Sequence, residues 1–274
     1  MSSEPAPDVR DDPDVLASLD AEASRLGLVL DADVRARFGQ YLALVLEWTP
    51  WAGLTSVTDA AEVQRRHFGE SLALLAALRG AGVLHDDGPA GGSEAGPAGG
   101  FDGGPGIAVV DIGAGAGFPA LPMRLLDDSL AVTLVESNAK RCRFLEHTCE
   151  SLGLGDVRVV QARAEEAGRD ETLRASFDVA VARAVAPMPV LVEYALPLLR
   201  RGGVLAAPKG SRAEAELVEA AVAIAALGGT AEPSLPLSLP AGAPRQQVLI
   251  VRRSGELADR YPRRPGIPAK RPLS

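Results

Sequence analysis

Six residues, Ile107-Ala108-Val109-Val110-Asp111-Ile112, run without a break into Gly113-Ala114-Gly115-Ala116-Gly117-Phe118-Pro119. So short and apolar a run predicts a strand covered on both faces. The glycines that follow predict a tight turn where a ligand can approach the backbone with no Cβ in the way. The rhythm then repeats. Strands are expected at 107–112, 131–136, 157–161, 177–182 and 203–207, and helices at about 118–127, 138–152, 187–199 and 211–227. Ser211 and Glu214 would open the last helix as a capping box. Alternation of this kind implies an α/β fold with a mostly parallel sheet. The Pro-rich 233–244 and a strand at 246–251 then predict an antiparallel hairpin at the sheet edge, for seven strands in all.

Upstream, helical spacing is expected at 14–28 (Val15, Leu16, Leu19, Ala23, Leu26) and 32–48 (Val34, Phe38, Tyr41, Leu42, Val45, Leu46). A third helix is expected from Asp59, with Glu62 completing a capping box and Val63, Phe68, Leu72 and Leu75 on its apolar face. Residues 88–106 hold nine Gly and three Pro in 19 positions, which predicts a flexible linker or surface insertion. The organisation expected is therefore an N-terminal helical unit (1–85), a linker (86–106), an α/β domain (107–254) and a basic C-terminal tail (255–274).

The 47% hydrophobic fraction of the 274 residues suffices for a sizeable core, which excludes an extended disordered chain. The net charge of −8 conceals an asymmetry. Residues 245–274 carry eight bases against Glu256 and Asp259, a net +6, which leaves −14 on the rest; residues 1–40 alone carry −5. A basic strip on an acidic body suits a protein that meets a polyanion at one place. No uncharged run exceeds 12 residues, too short for a membrane-spanning helix, and the start lacks an apolar signal region. Cys142 and Cys149, seven residues apart on one helix, are too far apart to pair and read as reduced thiols. A cytoplasmic protein without a metal site is expected.

Glu136 ends the second strand, 21 residues beyond Gly115. An acid near that offset accepts ribose hydroxyls of a nucleoside. Two cofactor classes fit, a dinucleotide or S-adenosylmethionine (SAM). The spacing here is G-x-G-x-G rather than the dinucleotide G-x-G-x-x-G, and the terminal hairpin does not suit a simple dinucleotide fold. Both points favour SAM, with the adenine expected against Phe118 and the turn Arg163-Ala164-Glu165.

The motif set resembles the bacterial RsmG (GidB) family. It comprises Leu54-Thr55-Ser56-Val57, Arg66-His67-Phe68-Gly69-Glu70-Ser71, DIGAGAGFPALPM at 111–123, ESNAKRCRFLEH at 136–147, RAEE at 163–166, ARAVAPM at 182–188, Lys209-Gly210 and YPRRPGIPAKRP at 261–272. The resemblance spans residues 14–272 apart from the linker. It implies a Rossmann-like class I SAM-dependent methyltransferase acting on N7 of a guanosine (position 527) in the 530 loop of 16S rRNA, on free RNA, an assembly intermediate or the 30S subunit. Carried over by position, SAM contacts fall on Gly113, Phe118, Ala164, Glu165 and Arg183, with Gly115 in the same turn and Glu136 at the ribose position. The chain departs from the family pattern at Gly53 (Asn), Glu70 (Asp), Ala120 (Gly) and Pro208 (aliphatic).

The chemistry expected agrees. Cytosine C5 methylation needs a cysteine nucleophile at a strand end, and exocyclic amines call for an Asp/Asn-Pro-Pro-aromatic stretch where this chain has Arg183-Ala184-Val185-Ala186-Pro187. Guanine N7 already offers an in-plane lone pair, so alignment dominates. Arg183 and Lys209, at strand ends, are the candidates for a catalytic or phosphate-contacting role. His67, Lys140, Arg141, Lys209, Arg245, Arg263 and Arg264 are the candidate RNA contacts. Lys140, Arg141 and Arg143 cluster early in their helix, against the preference of its dipole. The alternatives are a small-molecule SAM-dependent methyltransferase, an NAD-dependent oxidoreductase and a non-catalytic RNA-binding module.

Overall fold

The structure, a computed structural model, describes residues 15–84 and 106–273. The expected linker, except Gly106, and the acidic residues 1–14 lie outside them. The N-terminal helices are α1 (Ala17–Arg25), α2 (Ala32–Ala52), α3 (Ala60–Val63) and α4 (Glu70–Gly80), the last two joined by a π-helical stretch, Gln64–Gly69. Strands β1 (Ile107–Ile112), β2 (Leu130–Glu136), β3 (Arg158–Gln161), β4 (Phe177–Val181) and β5 (Leu199–Lys209) alternate with α5 (Ala120–Leu126), α6 (Ala139–Ser151), α7 (Ala164–Ala167) and α8 (Met188–Ala195). Helices α9 (Ala213–Glu219) and α10 (Ala221–Ala226) lead to β6 (Gly229–Pro236) and β7 (Gln247–Arg253), and α11 (Ile267–Lys270) lies in the tail.

The strand order is β3-β2-β1-β4-β5-β7-β6. Strands β1 to β5 pair in parallel, and β7 runs antiparallel to both β5 and β6. The mostly parallel seven-stranded sheet with an edge hairpin is thus present. Every residue of β1 is buried, as covering on both faces requires.

Two hydrophobic cores follow from the period-2 alternation of side chains. Val109, Val179, Val181, Val204 and Ile250 face one way, into a core shared with Leu19, Phe38, Leu42, Phe68 and Leu75 of the N-terminal helices and with α5 and α6. Val110, Ile112, Ala180, Leu205 and Val251 face the other way, into a core built from α8, α10 and the tail residues Leu257 and Tyr261. The N-terminal helices therefore form one layer of the α/β body.

Several local expectations are corrected. Asp59 caps α3 by accepting from the Glu62 amide at 2.9 Å, but the Glu62 carboxylate is paired with Arg65, so only half the box forms. The predicted single third helix is interrupted by the π stretch, a feature that side-chain periodicity does not report. No cap forms at Ser211: the helix opens at Arg212 without a side-chain cap, and the 211–227 segment is two helices. Strand β6 begins at Gly229, earlier than the Pro-rich composition suggested, because an edge strand tolerates Pro233.

Candidate functional site

Open α/β sheets place ligands beyond the C-terminal ends of their strands. Here those ends bring together the glycine turn after β1, the Glu136 carboxylate and the turn from β3 into α7. Gly113 has φ +67°, and a Cβ there would meet Val185 Cγ2 at 2.9 Å. Its N–H donates to the Val135 carbonyl, so the turn is folded back against β2. The Gly115 amide donates to Glu136 Oε2 at 3.0 Å and the Asn138 amide to Oε1 at 2.8 Å. Glu136 is thereby held as a buried carboxylate, 5% exposed, with acceptor capacity left for hydroxyl donors. Beside it lies a cavity of about 270 Å³ lined by Ile112, Gly113, Val135, Ser137, residues 162–165, Val185 and Tyr194. Ser137, Val185 and Tyr194 were not foreseen. Tyr194 comes from α8, whose apolar pattern marks it only as a core residue. A larger cavity, about 700 Å³, lies beside α2 and is lined by Arg35, Glu47 and His147 among others. It contains neither the glycine turn nor Glu136 and is remote from the strand ends.

The other expected residues gather at a second centre, where the N-terminal helices meet β1 and β4. Arg183 does not enter the cavity. Its guanidinium donates to the Arg66 carbonyl at 2.9 Å, to Glu70 Oε2 at 3.2 Å and to His67 Nδ1 at 3.0 Å. Because Arg183 has no acceptor to offer, His67 Nδ1 must accept, and Nε2–H donates to Thr55 Oγ1 at 2.8 Å. Burial, then the Arg183 and Arg66 charges, push the imidazole pKa down to about 3. His67 is thus a neutral structural link, not a cation for RNA. Burial also lowers the Arg183 pKa, against the opposing effects of Glu70 and Asp111.

Phe118 is likewise buried. His67 stacks on its ring at 4.9 Å, Tyr41 and Phe68 pack at 5.5 and 5.7 Å, and the Arg183 guanidinium lies 5.3 Å from its centre. Protein groups thus pack around the ring against which the adenine is expected. Gly117 makes this packing feasible, since a Cβ there would meet Leu121 at 2.4 Å and the Tyr41 hydroxyl at 2.6 Å. Asp111, not singled out in the sequence, is fully buried under the same cluster. It accepts from the Ala120 amide at 3.1 Å while Oδ1 has no partner. Burial raises its pKa to about 7.

The π stretch carries Arg66 and His67 and leads directly into Glu70. Insertions of this kind recur at functional sites because they re-aim side chains within a helix. Glu70 also accepts from Gln246 at 3.2 Å. The extra methylene relative to the family's Asp lets one carboxylate serve both Arg183 and Gln246. Gly53 ends α2 at φ +60°, a left-handed cap that Gly and Asn both adopt, so that departure conserves the backbone. Pro208 lies beyond Ala206, the last β5 residue paired with β4, where β5 has β7 alone as neighbour.

The cationic candidates divide. Lys209 donates to the Ala186 carbonyl and pairs with Glu216, both at 2.8 Å, so it is engaged internally and not presented to phosphate. Arg263, also expected at RNA, is held by Glu193 at 2.6 Å. Arg245 and Arg264 are exposed, as are Lys140 and Arg143, while Arg141 is half-buried. Lys140 Nζ lies 5.1 Å from the ring centre of Trp51, and Arg141 donates to the Gly53 carbonyl at 2.9 Å. Trp51 itself is 45% exposed and was not foreseen. Among the described residues, no cluster of three or more His, Cys, Asp or Glu side chains is placed to hold a metal ion, and no helix is long and apolar enough to cross a membrane.

Comparison with known proteins assigns this arrangement. Residues 101–238 match the family described as rRNA small subunit methyltransferase G (GidB). A ribosomal RNA small subunit methyltransferase G from Roseiflexus castenholzii is 42% identical over 92% of this chain and 97% of its own length. The chain belongs to this family. Within the methyltransferase G family, relatives of the same name from Chloroflexus aggregans (40% identical, covering 90% of this chain and 93% of the relative) and Pelotomaculum thermopropionicum (38%, covering 94% and 99%) match over equally long spans.

Proposed function

We propose that this chain is a SAM-dependent methyltransferase that modifies N7 of the guanosine at position 527 in the 530 loop of 16S rRNA. Membership of the methyltransferase G family supports the reaction. The observation that carries the cofactor assignment is the Glu136 carboxylate, buried beside the cavity with its orientation fixed by two backbone amides. Its remaining lone pairs suit a ribose diol, and Gly113 and residues 162–165 offer main chain to the rest of a nucleoside. The cavity is near the lower limit for ligand pockets, about 300 Å³, and encloses part of such a molecule.

When bound, SAM supplies an electrophilic methyl group. N7 of guanine needs no proton removed, so this chain's task is to hold the base in line and exclude water. The cysteines are unsuited to covalent chemistry: burial pushes Cys142 up to about 11 and Cys149 up to about 12, leaving both as thiols at neutral pH. The half-buried Arg183–His67–Glu70 cluster fixes the N-terminal helices against the ends of β1 and β4, and it acts as a positioning centre for the RNA-facing surface.

Lys140, Arg141, Arg245 and Arg264 supply the phosphate contacts, and exposed Trp51 beside Lys140 offers a surface on which an unpaired base can stack. Such activity belongs in the cytoplasm, where ribosomal subunits are made. The test is incubation with labelled SAM and either 30S subunits or deproteinised 16S rRNA from cells lacking the enzyme. The expected product is N7-methylguanosine at position 527, and preference for one preparation tells whether free RNA or the particle is the substrate. Absence of transfer to either would refute the proposal.

A further inference from the structure

The tail is strongly basic, and its composition suggests a strap that lies on RNA. Its geometry says otherwise. Tyr261 is buried, and its carbonyl accepts from Arg174 at 2.8 Å. Arg169 donates to the Arg260 carbonyl at 3.1 Å. Arg263 then makes four hydrogen bonds to Glu193, through its amide, Nε (to both oxygens) and Nη2, at 2.6 to 3.1 Å. The Glu193 side chain is wholly buried on α8, so the tail is clamped onto an interior carboxylate.

Three residues further on, the Gly266 amide donates to Glu165 Oε1 at 2.8 Å. The Tyr194 phenol, next in sequence to Glu193, lies beside the Glu165 carboxylate: burial and then the Glu165 charge push its pKa up. Glu165 and Tyr194 both line the cavity assigned to the cofactor. Gly266 is left-handed at φ +78°, and a Cβ there would meet nothing within 4 Å. The glycine therefore serves backbone conformation rather than space, and that conformation directs the amide toward Glu165.

We propose that the segment 261–270 is a built-in brace for the cofactor cavity, clamped by Arg263 on Glu193 and acting through Gly266 on Glu165 and Tyr194. Gly266 and Arg263 are positioning residues, since neither lines the cavity. The brace rests on the proposed cofactor site and adds a role that the charge of the tail does not suggest. A cavity wall tied down before the ligand arrives loses less freedom on binding, which raises affinity without a new contact. Lys270 and Arg271 are exposed and carry charge that the brace does not use.

The test is SAM affinity by calorimetry, without RNA, on the intact chain and three variants. A chain ending at Pro265 keeps the Arg263–Glu193 clamp but loses the Gly266 amide; Kd is expected to rise about tenfold. Lys270→Ala with Arg271→Ala removes tail charge alone, and Kd is expected to stay within about twofold. Tyr194→Phe keeps the full tail and removes the polar group beside Glu165 in the cavity wall; its Kd is expected to rise by a similar factor. Combining it with the truncation should cost less than the product of the two, because both act through one carboxylate. Unchanged affinity in the truncated chain, multiplicative losses, or equal losses in the charge variant would overturn the brace. Should the truncated chain fail to fold, unchanged affinity in Tyr194→Phe would overturn it and the expected rise would support it. Failure of the intact chain to bind SAM would overturn the cofactor site and the brace together, whereas binding unaffected by either variant overturns the brace alone.

Discussion

Arg263 and Lys140 belong to the two basic stretches of the sequence, and the structure uses them in opposite ways. Arg263 is turned inward onto a buried carboxylate, whereas Lys140 lies at the surface over an exposed Trp51. Arg183 and Lys209 follow Arg263, each meeting a glutamate and a carbonyl oxygen. Arg245 and Arg264 follow Lys140 in being exposed. Whether a cation is held by the fold thus depends on the carboxylates and carbonyls placed against it, and local charge density does not report that. Inward cations are tied to the body of the protein; outward ones remain at its surface.

The sharpest way to break the comparison is Arg263→Ala. It leaves Glu193 buried without its cation, and unfolding in urea should show a loss of about 3–5 kcal/mol. A loss below about 1 kcal/mol would place Arg263 with the outward group. Glu193→Gln should restore part of the stability of that variant, because the bare buried charge is gone.

The second prediction concerns pH. His67 is neutral in the fold, with a pKa of about 3 against an ordinary 6.5. Its contribution is present above pH 6.5 and is lost as pH falls toward 3, by about 2 kcal/mol between pH 6.5 and 4.5. Asp111 works in the opposite sense. Its pKa is raised to about 7 from 3.8, so its contribution is lost as pH rises between those values. The two slopes nearly cancel in the parent between pH 4.5 and 6.5, so in urea titrations across pH 4.5–7 His67→Gln should leave stability falling as pH rises, and Asp111→Asn should expose the acid-side loss. A parallel shift of the whole curve in both variants would contradict the opposed displacements of His67 and Asp111.

Glu136→Ala comes next. It removes an acceptor for ribose and releases the Gly115 amide, so SAM affinity should fall by about 1.5–3 kcal/mol, that is tenfold or more, with RNA affinity unchanged. Trp51→Ala should weaken RNA binding by about 1–3 kcal/mol if a base stacks there, with the salt dependence intact. An unchanged RNA affinity would remove Trp51 from the interface. The smallest effect is expected for Arg264→Ala: stability within about 0.5 kcal/mol of the parent and a salt slope for RNA binding reduced by roughly one phosphate contact.

Much of the fold was legible because it rests on periodicity. The boundaries of β1 and the hairpin at the edge follow from apolar runs and turn residues. The glycine turn and Glu136 were legible for a related reason: their spacing encodes a backbone shape and a strand end. What escaped was long-range pairing. Nothing near Lys209 in sequence announces Glu216 as its partner, and nothing near Arg263 announces Glu193, which lies 70 residues earlier. Phe118 was placed against a ligand because it follows the glycine turn, yet the N-terminal helices reach it first. The π stretch at Gln64–Gly69 leaves no compositional mark, although it presents His67 and Arg66 to Arg183.

The clamp on Glu193 also bears on how the chain is made. Glu193 emerges from the ribosome 70 residues ahead of the arginine that neutralises it. At about 5–20 residues per second, α8 waits roughly 4 to 14 s for Arg263. During that interval the second core lacks both its counter-ion and the Tyr261 side chain that seals it. The α/β body of a nascent chain therefore stays incomplete until nearly all of it has been synthesised, and a stall or truncation before Arg263 should leave a product recognised by proteases rather than a shortened, working enzyme.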